Sequence, residues 1–323
     1  MSVVINYLDY FISPNELPIE EFIATLDDDY ILNWSRTFLG TEIKRKDLSQ
    51  ILKFTTRIKS IAIGIGDSEN EAVLFKNMLI PYFEQNSAKD IDYIIYNGGD
   101  TVSLEKNIPY FIQKEFNLKS TQVFQIKQSC SSTLIAINLA KALIENGSAK
   151  RILSLSGNII AVFKKRLMSL FSVSDGAAVV EISSGEISSG NERWEVVDFL
   201  GLTDGTLPTI EDMCRDGEKI VNTGVELIKR VLTRNRLQAN NLSLIIPQNT
   251  NFSGWYLYCE KLGLTVDKVY MDNFGGCGHI GDVDTIRNLK DASLTHKFKE
   301  GEYVLSYAIG TGTSWNALLL RKL

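Results

Sequence analysis

Strand-like apolar segments alternate with longer helical segments through most of this 323-residue chain. In the first half, short runs rich in Ile, Val and Tyr are followed by helical stretches. The predicted strands cover 59–66, 92–100, 122–127, 151–158 and 173–184, and the helices between them cover 69–85, 104–116 and 130–147. Strands that alternate with helices in this way favour crossover units around a largely parallel sheet. We therefore expect an α/β fold.

The second half of the chain repeats the order of the first. The matching pairs are 93–100 with 244–251, 123–147 with 269–292, and 151–183 with 303–323. The predicted elements of the second half include a helix at 218–234 and a strand at 268–274. A match of roughly 150 residues is too long for a solenoid repeat and indicates an internal duplication. We expect two halves, 1–185 and 186–323, with residues 1–58 as an irregular entry. If the halves pack about a pseudo-twofold axis, equivalent corners lie near it, and the corner at Cys130 meets the corner at Cys277 and His279. The Gly- and Ser-rich stretch 185–190 is the predicted linker.

A polar corner at Cys130 separates the strand 122–127 from the helix that follows it. This helix is rich in Ala, Leu and Ile on nearly every side, so we expect it to be buried. A thiol in its first turn faces free backbone N–H groups and the positive end of the helix dipole, which favour a thiolate. Cys130 is therefore a candidate nucleophile, with a small packing cysteine as the alternative.

The composition excludes several classes of protein. A formal net charge of −5 without long runs of one sign gives no surface for nucleic acid. No apolar run is long enough for a transmembrane helix, and the N-terminus does not resemble a signal peptide. The four cysteines are widely spaced, which argues against a metal or disulfide framework and fits a reducing cytoplasm. Imidazole chemistry must use His279, in a Gly-rich corner, or His296, in a polar helix end.

Five motifs together resemble the thiolase superfamily, and specifically proteins like β-ketoacyl-[acyl-carrier-protein] synthase III. They are QSCSSTLIAINLAKALIENG, SVSDGAAVVEIS, LIIPQNTN, NFGGCGHIGD and YAIGTGTSWNALLLR. The resemblance covers nearly the whole chain and implies two similar halves in five layers, αβαβα. It implies a homodimer, or a heterodimer with a similar subunit. It also implies no tightly bound cofactor, because coenzyme A thioesters or phosphopantetheinyl acyl carrier proteins serve as substrates.

The same resemblance assigns roles to individual residues. Cys130 would accept the acyl group, and backbone N–H groups around it and near Gly310 and Gly312 would stabilise the oxyanion. Trp34, with the basic cluster 44–46, would receive the phosphates or adenine of the donor, or else form a solvated surface patch. Cys277 is predicted to be a small packing residue, and the stretch 174–177 a structural hairpin where the halves meet.

Two departures from the family pattern change the expected chemistry. Condensing members carry a His after a strand-end proline, where this chain has Gln248, and an Asn in a Gly-Asn-Thr corner, where it has Gly276. An amide does not titrate, so Gln248 cannot be a general base. Gln248 and its neighbour Asn249 would contact substrate or order water, or else be inert turn residues.

His279 and Asp284 resemble a Gly-His…Asp pattern of divergent members, some of which transfer acyl groups to oxygen, nitrogen or sulfur. A His beside a Cys can hold a thiolate and then deprotonate an acceptor, and a carboxylate behind it fixes its tautomer. Asp284 is favoured for that carboxylate, and Asp282 competes with it.

The leading hypothesis is an acyltransferase that loads Cys130 from an acyl thioester and passes the acyl group to a hydroxyl or amine of a small molecule. A non-standard condensing enzyme is the main alternative. A third possibility, a catalytically idle subunit, is disfavoured because the chain keeps Cys130.

Overall fold

The computed structural model describes residues 2–64, 68–86, 90–98, 107–160, 162–185 and 193–323. The strands are β1 Val3–Ile12, β2 Glu16–Pro18, β3 Ser60–Ala62, β4 Tyr93–Asn97, β5 Gln122–Gln125, β6 Arg151–Asn158, β7 Leu167–Met168, β8 Phe171–Ser172, β9 Gly176–Ser184, β10 Trp194–Thr203, β11 Leu242–Ile246, β12 Tyr303–Gly310 and β13 Ser314–Lys322. The helices are α1 Ile19–Thr25, α2 Asp28–Leu39, α3 Arg45–Thr56, α4 Ser68–Gln85, α5 Ile108–Glu115, α6 Ser132–Glu145, α7 Ile210–Arg215, α8 Gly217–Arg234, α9 Gly254–Leu262 and α10 Asp284–Thr295. Apart from Gly185, the predicted linker 185–190 lies outside the described residues.

Among the described residues, nine strands form one mixed sheet in the order β11-β12-β13-β10-β1-β9-β6-β4-β5. The expectation of a largely parallel sheet is wrong, because five of its eight strand pairs are antiparallel. In the N-terminal half, β4 is parallel to β5 and β6, and β9 is antiparallel to β6 and β1. The C-terminal half repeats this pattern, since β11 is parallel to β12 and β13 is antiparallel to β12 and β10. The same strand pattern therefore occurs twice, as a duplicated fold requires, while the bounds 1–185 and 186–323 stay a prediction.

Three apolar clusters fill the space between the five layers, αβαβα, and the central cluster covers both faces of the middle helix layer. The central cluster packs α6 and α10 against strands of both halves. The two outer clusters pack α4 and α5 on the N-terminal strands, and α8 and α9 on the C-terminal strands. Because α6 is covered by sheet on two sides, it has to be apolar nearly all round. A fourth cluster joins α1, α2 and α3 into a cap.

Two predictions about elements are wrong. Residues 1–58 are not irregular, because β1 lies inside the sheet and the cap helices follow it. Val3, Val4 and Ile5 are all buried, so β1 lacks the alternation that reveals a half-exposed strand. The segment 268–274 is not a strand, because only Val269 forms an isolated bridge before the chain turns at 272–275.

Within the described part of the chain, no helix is both long and apolar enough to cross a membrane.

Candidate active site

Cys130 lies at a tight corner between β5 and α6. Ser129, the residue before it, adopts the left-handed conformation with φ of 50°, which is uncommon for a residue other than glycine. The Ser132 hydroxyl accepts a hydrogen bond from the Gln128 N–H (2.8 Å) and donates one to the Ser129 carbonyl (2.7 Å). The corner therefore holds a half-buried sulfur at the start of the central helix.

His279 and Asp284 come from the equivalent corner of the C-terminal half, and both are buried. Nε2 of His279 lies 3.0 Å from Sγ of Cys130, and Nδ1 lies 2.5 Å from Oδ2 of Asp284. Asp282 instead accepts a hydrogen bond from the Thr133 hydroxyl at 3.2 Å. The structure thus brings Cys130, His279 and Asp284 into one chain of contacts, with Asp284 behind the imidazole.

Opposing effects act on the pKa of His279. Burial alone would lower it, but the neighbouring Asp284 and Cys130 outweigh burial and raise the pKa to about 10. A cationic imidazole between a carboxylate and a sulfur stabilises a thiolate. Asp282 behaves differently, because burial raises the pKa of its carboxyl well above the ordinary value and favours the neutral acid.

The residues before β9 hold the backbone of His279. Its N–H donates to the Ser172 carbonyl (2.9 Å), and its carbonyl accepts from the Ser174 N–H (2.8 Å). Asp175, next in the chain, is fully buried and accepts from both terminal nitrogens of Arg166, at 2.7 and 2.6 Å. This ion pair anchors the segment that positions His279, so the stretch 174–177 has a structural role.

A second set of contacts holds Asp284. Its two oxygens accept from the Asn249 N–H (2.7 Å) and the Ile280 N–H (3.0 Å). Asn288, one turn along α10, donates to the Pro247 carbonyl (2.7 Å) and to Oδ1 of Asn249 (2.8 Å). Among the described residues, Asn249 lines neither cavity beside Cys130, and its backbone holds Asp284; its contact with substrate stays a prediction.

Cys130 lies between two cavities. The larger, of about 360 Å³, has mostly apolar walls that include Leu170 and Trp255, and it reaches the exposed Cys214. The smaller, of about 90 Å³, is lined by His279 and Asp282 among others. Among the described residues, those that line both cavities are Cys130, Phe171, Ile210 and Thr311. The sulfur can therefore be approached from two directions.

Gln248 lines the larger cavity, where its amide is already engaged. Its Oε1 accepts from the Ile309 N–H (2.9 Å), and its Nε2 donates to the Thr250 hydroxyl (3.2 Å). Gly310 packs against the nucleophile corner, because an added Cβ would lie 2.3 Å from the Gln128 carbonyl oxygen. Gly312 has φ of +83° in the turn after β12. The role of this turn in oxyanion binding stays a prediction.

The positions of two further residues bear on their predicted roles. Trp34 is 4% exposed, packs inside the cap and donates its indole N–H to the Ser169 carbonyl (3.1 Å), so it is not on a solvated patch, and its role in donor binding stays a prediction. Phe38, one helical turn later, lines the larger cavity instead. Gly276 borders a separate cavity beside Arg287, and the corner residue that faces the sulfur is His279.

The sequence analysis did not identify Asn288 and Arg166 as residues that position the site. Asn288 follows Asp284 by four residues, and this spacing places both on one face of α10, so a signal was present. Arg166 reaches Asp175 across a short hairpin whose register the sequence does not specify. In the part of the chain that the structure describes, no group of three or more His, Cys, Asp or Glu side chains could hold a metal ion.

Two family models match the chain. The model described as 3-Oxoacyl-[acyl-carrier-protein (ACP)] synthase III matches residues 124–205, and that described as its C terminal part matches residues 232–322. Together they cover just over half of the chain. The first match contains Cys130, and the second contains His279 and Asp284.

Individual relatives and solved structures agree with this match. The chain is 25% identical over 250 residues to β-ketoacyl-[acyl-carrier-protein] synthase III of Aquifex aeolicus, covering 73% of this chain and 78% of the relative. It is 22% identical over 318 residues to the protein of that name from Chlorobium phaeobacteroides, covering 86% and 94%. The A. aeolicus enzyme structure superposes with a TM-score of 0.75 at 21% identity, over 99% of this chain and 100% of the other. A structure titled ChlB3 [Aceyltransferase] gives 0.77 at 13% identity, over 100% and 98%.

Proposed function

Because the chain belongs to the thiolase superfamily, among relatives of 3-oxoacyl-[acyl-carrier-protein] synthase III, we propose that it transfers an acyl group through Cys130 to a hydroxyl, an amine or a similar acceptor. The observation that supports this proposal is the series of contacts from the Cys130 sulfur through His279 to the buried Asp284. It supplies a nucleophile, a base and a group that orients the base.

In the first half-reaction the Cys130 sulfur attacks the carbonyl carbon of an acyl thioester. The bond between that carbon and the donor sulfur breaks, and protonated His279 gives its Nε2 proton to the departing thiolate. The donor is a coenzyme A thioester or a phosphopantetheinyl acyl carrier protein. Backbone N–H groups at the Cys130 corner and the turn at Gly310 and Gly312 are the proposed oxyanion donors.

In the second half-reaction the acceptor attacks the carbonyl carbon of the acyl-enzyme. Forming the thioester removes the charge of the sulfur, one of the groups that raise the pKa of His279. The neutral imidazole then takes the acceptor proton while Asp284 stabilises the resulting cation. The bond from carbon to Sγ breaks, and Cys130 is regenerated.

Transfer to a heteroatom is favoured over condensation by the groups beside the sulfur. Gln248 cannot exchange a proton, and its amide is engaged by Ile309 and Thr250. His279, held by Asp284, is suited to deprotonating a hydroxyl or amine. ChlB3, of the same fold, carries the word acyltransferase in its title.

Acyl loading is tested by incubating the full chain with acyl-coenzyme A and measuring intact mass. The wild-type chain should gain one acyl mass and Cys130→Ala none, while Cys214→Ala, at the exposed wall of the larger cavity, should still be loaded. If Cys130→Ala gains the adduct at the wild-type rate, the proposal fails.

A condensing enzyme that forms a carbon–carbon bond is the alternative, and the synthase III names of the relatives favour it. The loaded enzyme is offered malonyl thioesters and, separately, alcohols and amines. Ester or amide products support acyl transfer, whereas a β-keto product with none of these supports condensation.

We also propose a dimer of identical or similar subunits. β5 lies at the edge of the sheet, where a second copy can add its own strand.

A further inference from the structure

We propose that the cavity beside Gly276 and Cys277 binds a small organic carboxylate through the guanidinium of Arg287. This cavity has a volume of about 520 Å³. Among the described residues, it shares no lining residue with the two cavities beside Cys130. It is therefore a separate site, and the inference does not depend on the proposed acyl transfer.

Arg287 carries a buried positive charge that no close counterion compensates. It is 9% exposed and lines the cavity, with Nη1 3.1 Å from Sγ of Cys277. Among the described residues, Asp291 supplies the one carboxylate within 4.0 Å of the guanidinium, and its distance of 3.8 Å from Nε is too long for a hydrogen bond. Asp291 already accepts from the Tyr10 hydroxyl (2.9 and 3.0 Å) and from Nδ2 of Asn273 (2.7 Å). A buried charge without a close partner is costly, so an anion bound in the cavity would be stabilised.

Cys277 does not supply the missing negative charge. Burial raises the pKa of its thiol, and the neighbouring Arg287 lowers that pKa by less than burial raises it. The side chain is therefore a neutral thiol, which is only a weak hydrogen-bond acceptor. The positive charge of Arg287 stays available to a ligand.

The missing side chain at Gly276 leaves a terminal nitrogen of Arg287 open to this cavity. Among the described residues, Nη2 donates no hydrogen bond, and it is not sealed from solvent as Nε is. A Cβ added at Gly276 would lie 3.5 Å from Nη2, so a side chain at this position would cover it. With glycine here, a ligand in the cavity can reach Nη2.

The charges around the cavity favour a carboxylate over a phosphate. Within the described part of the chain, its charged lining residues are the cations Arg287 and Lys59 and the anions Glu16 and Asp272. A monocarboxylate brings one negative charge, which a planar guanidinium can bind through two parallel hydrogen bonds. A phosphate with two charges meets stronger repulsion from Glu16 and Asp272. Phe274, which is 7% exposed, adds an apolar surface for the rest of an organic acid.

The test is isothermal titration calorimetry of the full chain with benzoate and with benzamide, which has nearly the same shape without the charge. Benzoate should bind at least about tenfold more tightly than benzamide, and Arg287→Gln should weaken benzoate binding about 10- to 100-fold, as expected for lost charge-assisted hydrogen bonds. Arg321→Gln is the matched control, because Arg321 pairs with Glu195 and does not line the cavity. Equal binding of benzoate and benzamide, or benzoate binding by Arg287→Gln at the wild-type affinity, overturns the inference.

Gly276→Leu keeps the test decisive if Arg287→Gln does not fold. It retains the charge of Arg287 and fills the space beside Nη2, and φ at Gly276 is not in the left-handed region that strains a leucine. This variant should lose benzoate binding, while Gly205→Leu, where an added Cβ meets nothing within 4 Å, should retain it. Inorganic phosphate that binds more tightly than benzoate overturns the choice of a carboxylate. A chain that binds benzoate through Arg287 but is not acylated at Cys130 supports this inference and contradicts only the proposed function.

Discussion

At the scale of single residues, Asp284 determines which nitrogen of His279 faces the sulfur. Its carboxylate keeps a proton on Nδ1 and so leaves Nε2 to exchange a proton with sulfur or acceptor. In Asp284→Asn the amide can donate to Nδ1 and favour the wrong tautomer. We expect kcat for acyl transfer to fall by about 10²- to 10⁴-fold in single-turnover assays. Asp291→Asn, two turns along α10, serves as the control. A loss of less than threefold in Asp284→Asn would mean that the carboxylate only packs the corner.

The raised pKa of His279 also predicts a pH dependence of stability. An imidazole titrates near 6.5 in the unfolded chain and at about 10 in the folded one. Because the folded-state pKa lies above the unfolded value, the protonated His279 stabilises the folded chain fully below about pH 6.5. This contribution to the free energy of unfolding is lost as the pH rises through 10. The difference in free energy of unfolding between the wild-type chain and His279→Gln should therefore shrink between pH 6.5 and 10. Urea denaturation across this range measures it, and a difference that grows with pH would contradict the assignment.

At the scale of elements, the end of β12 sets the position of the nucleophile corner. An added Cβ at Gly310 would lie 2.3 Å from the Gln128 carbonyl oxygen and 2.7 Å from the Ser131 hydroxyl, so the corner would have to move. A displacement of about 1 Å can cost roughly 10²-fold in rate, and we expect Gly310→Ala to slow acylation of Cys130 by about that factor. The control is Gly205→Ala, whose added Cβ meets nothing within 4 Å. Loading of Gly310→Ala at the wild-type rate would show that the corner tolerates the methyl group.

The start of β9 depends on the buried ion pair between Asp175 and Arg166. Replacing one partner of a buried pair leaves the other charge without compensation, which costs about 3–5 kcal/mol. We expect Asp175→Asn to lose about that much free energy of unfolding in urea. Glu195→Gln breaks a pair with the more exposed Arg321 and should lose about 0–1 kcal/mol. If Asp175→Asn and Glu195→Gln lose the same free energy of unfolding, the buried pair contributes no more to stability than the exposed pair.

Elements were predictable from the sequence where their pattern is long and periodic. Helix α8, Gly217–Arg234, agrees within one residue with the predicted 218–234. The duplication also predicted that the Cys130 and His279 corners would meet, because equivalent corners approach a shared axis. β1 was not predicted as a strand, because it is covered on both faces and pairs with strands distant in sequence. The hydrogen bond between Thr133 and Asp282 could not be predicted, because it depends on how the corners of the two halves pack.

At the scale of the whole molecule, β1 and the middle layer make the two halves one unit. Ile5 is fully buried and pairs with Ile182 of β9 and Trp194 of β10, while α6 and α10 pack on both halves. We therefore expect a single cooperative transition in urea, with tryptophan fluorescence and far-UV circular dichroism coinciding. Ile5→Ala should lower the free energy of unfolding by about 2–5 kcal/mol and shift both signals together.

Phe54→Ala is the control for this experiment, because Phe54 is 75% exposed and its loss should change the free energy of unfolding by about 0.5 kcal/mol or less. The candidate site takes Cys130 from one half and His279 from the other, so neither half can hold it alone. Acylation of Cys130 should therefore disappear over the same range of urea as the fluorescence signal, in the wild-type chain and in Ile5→Ala. Two separate transitions, or loading that outlasts the first of them, would show that the halves fold independently.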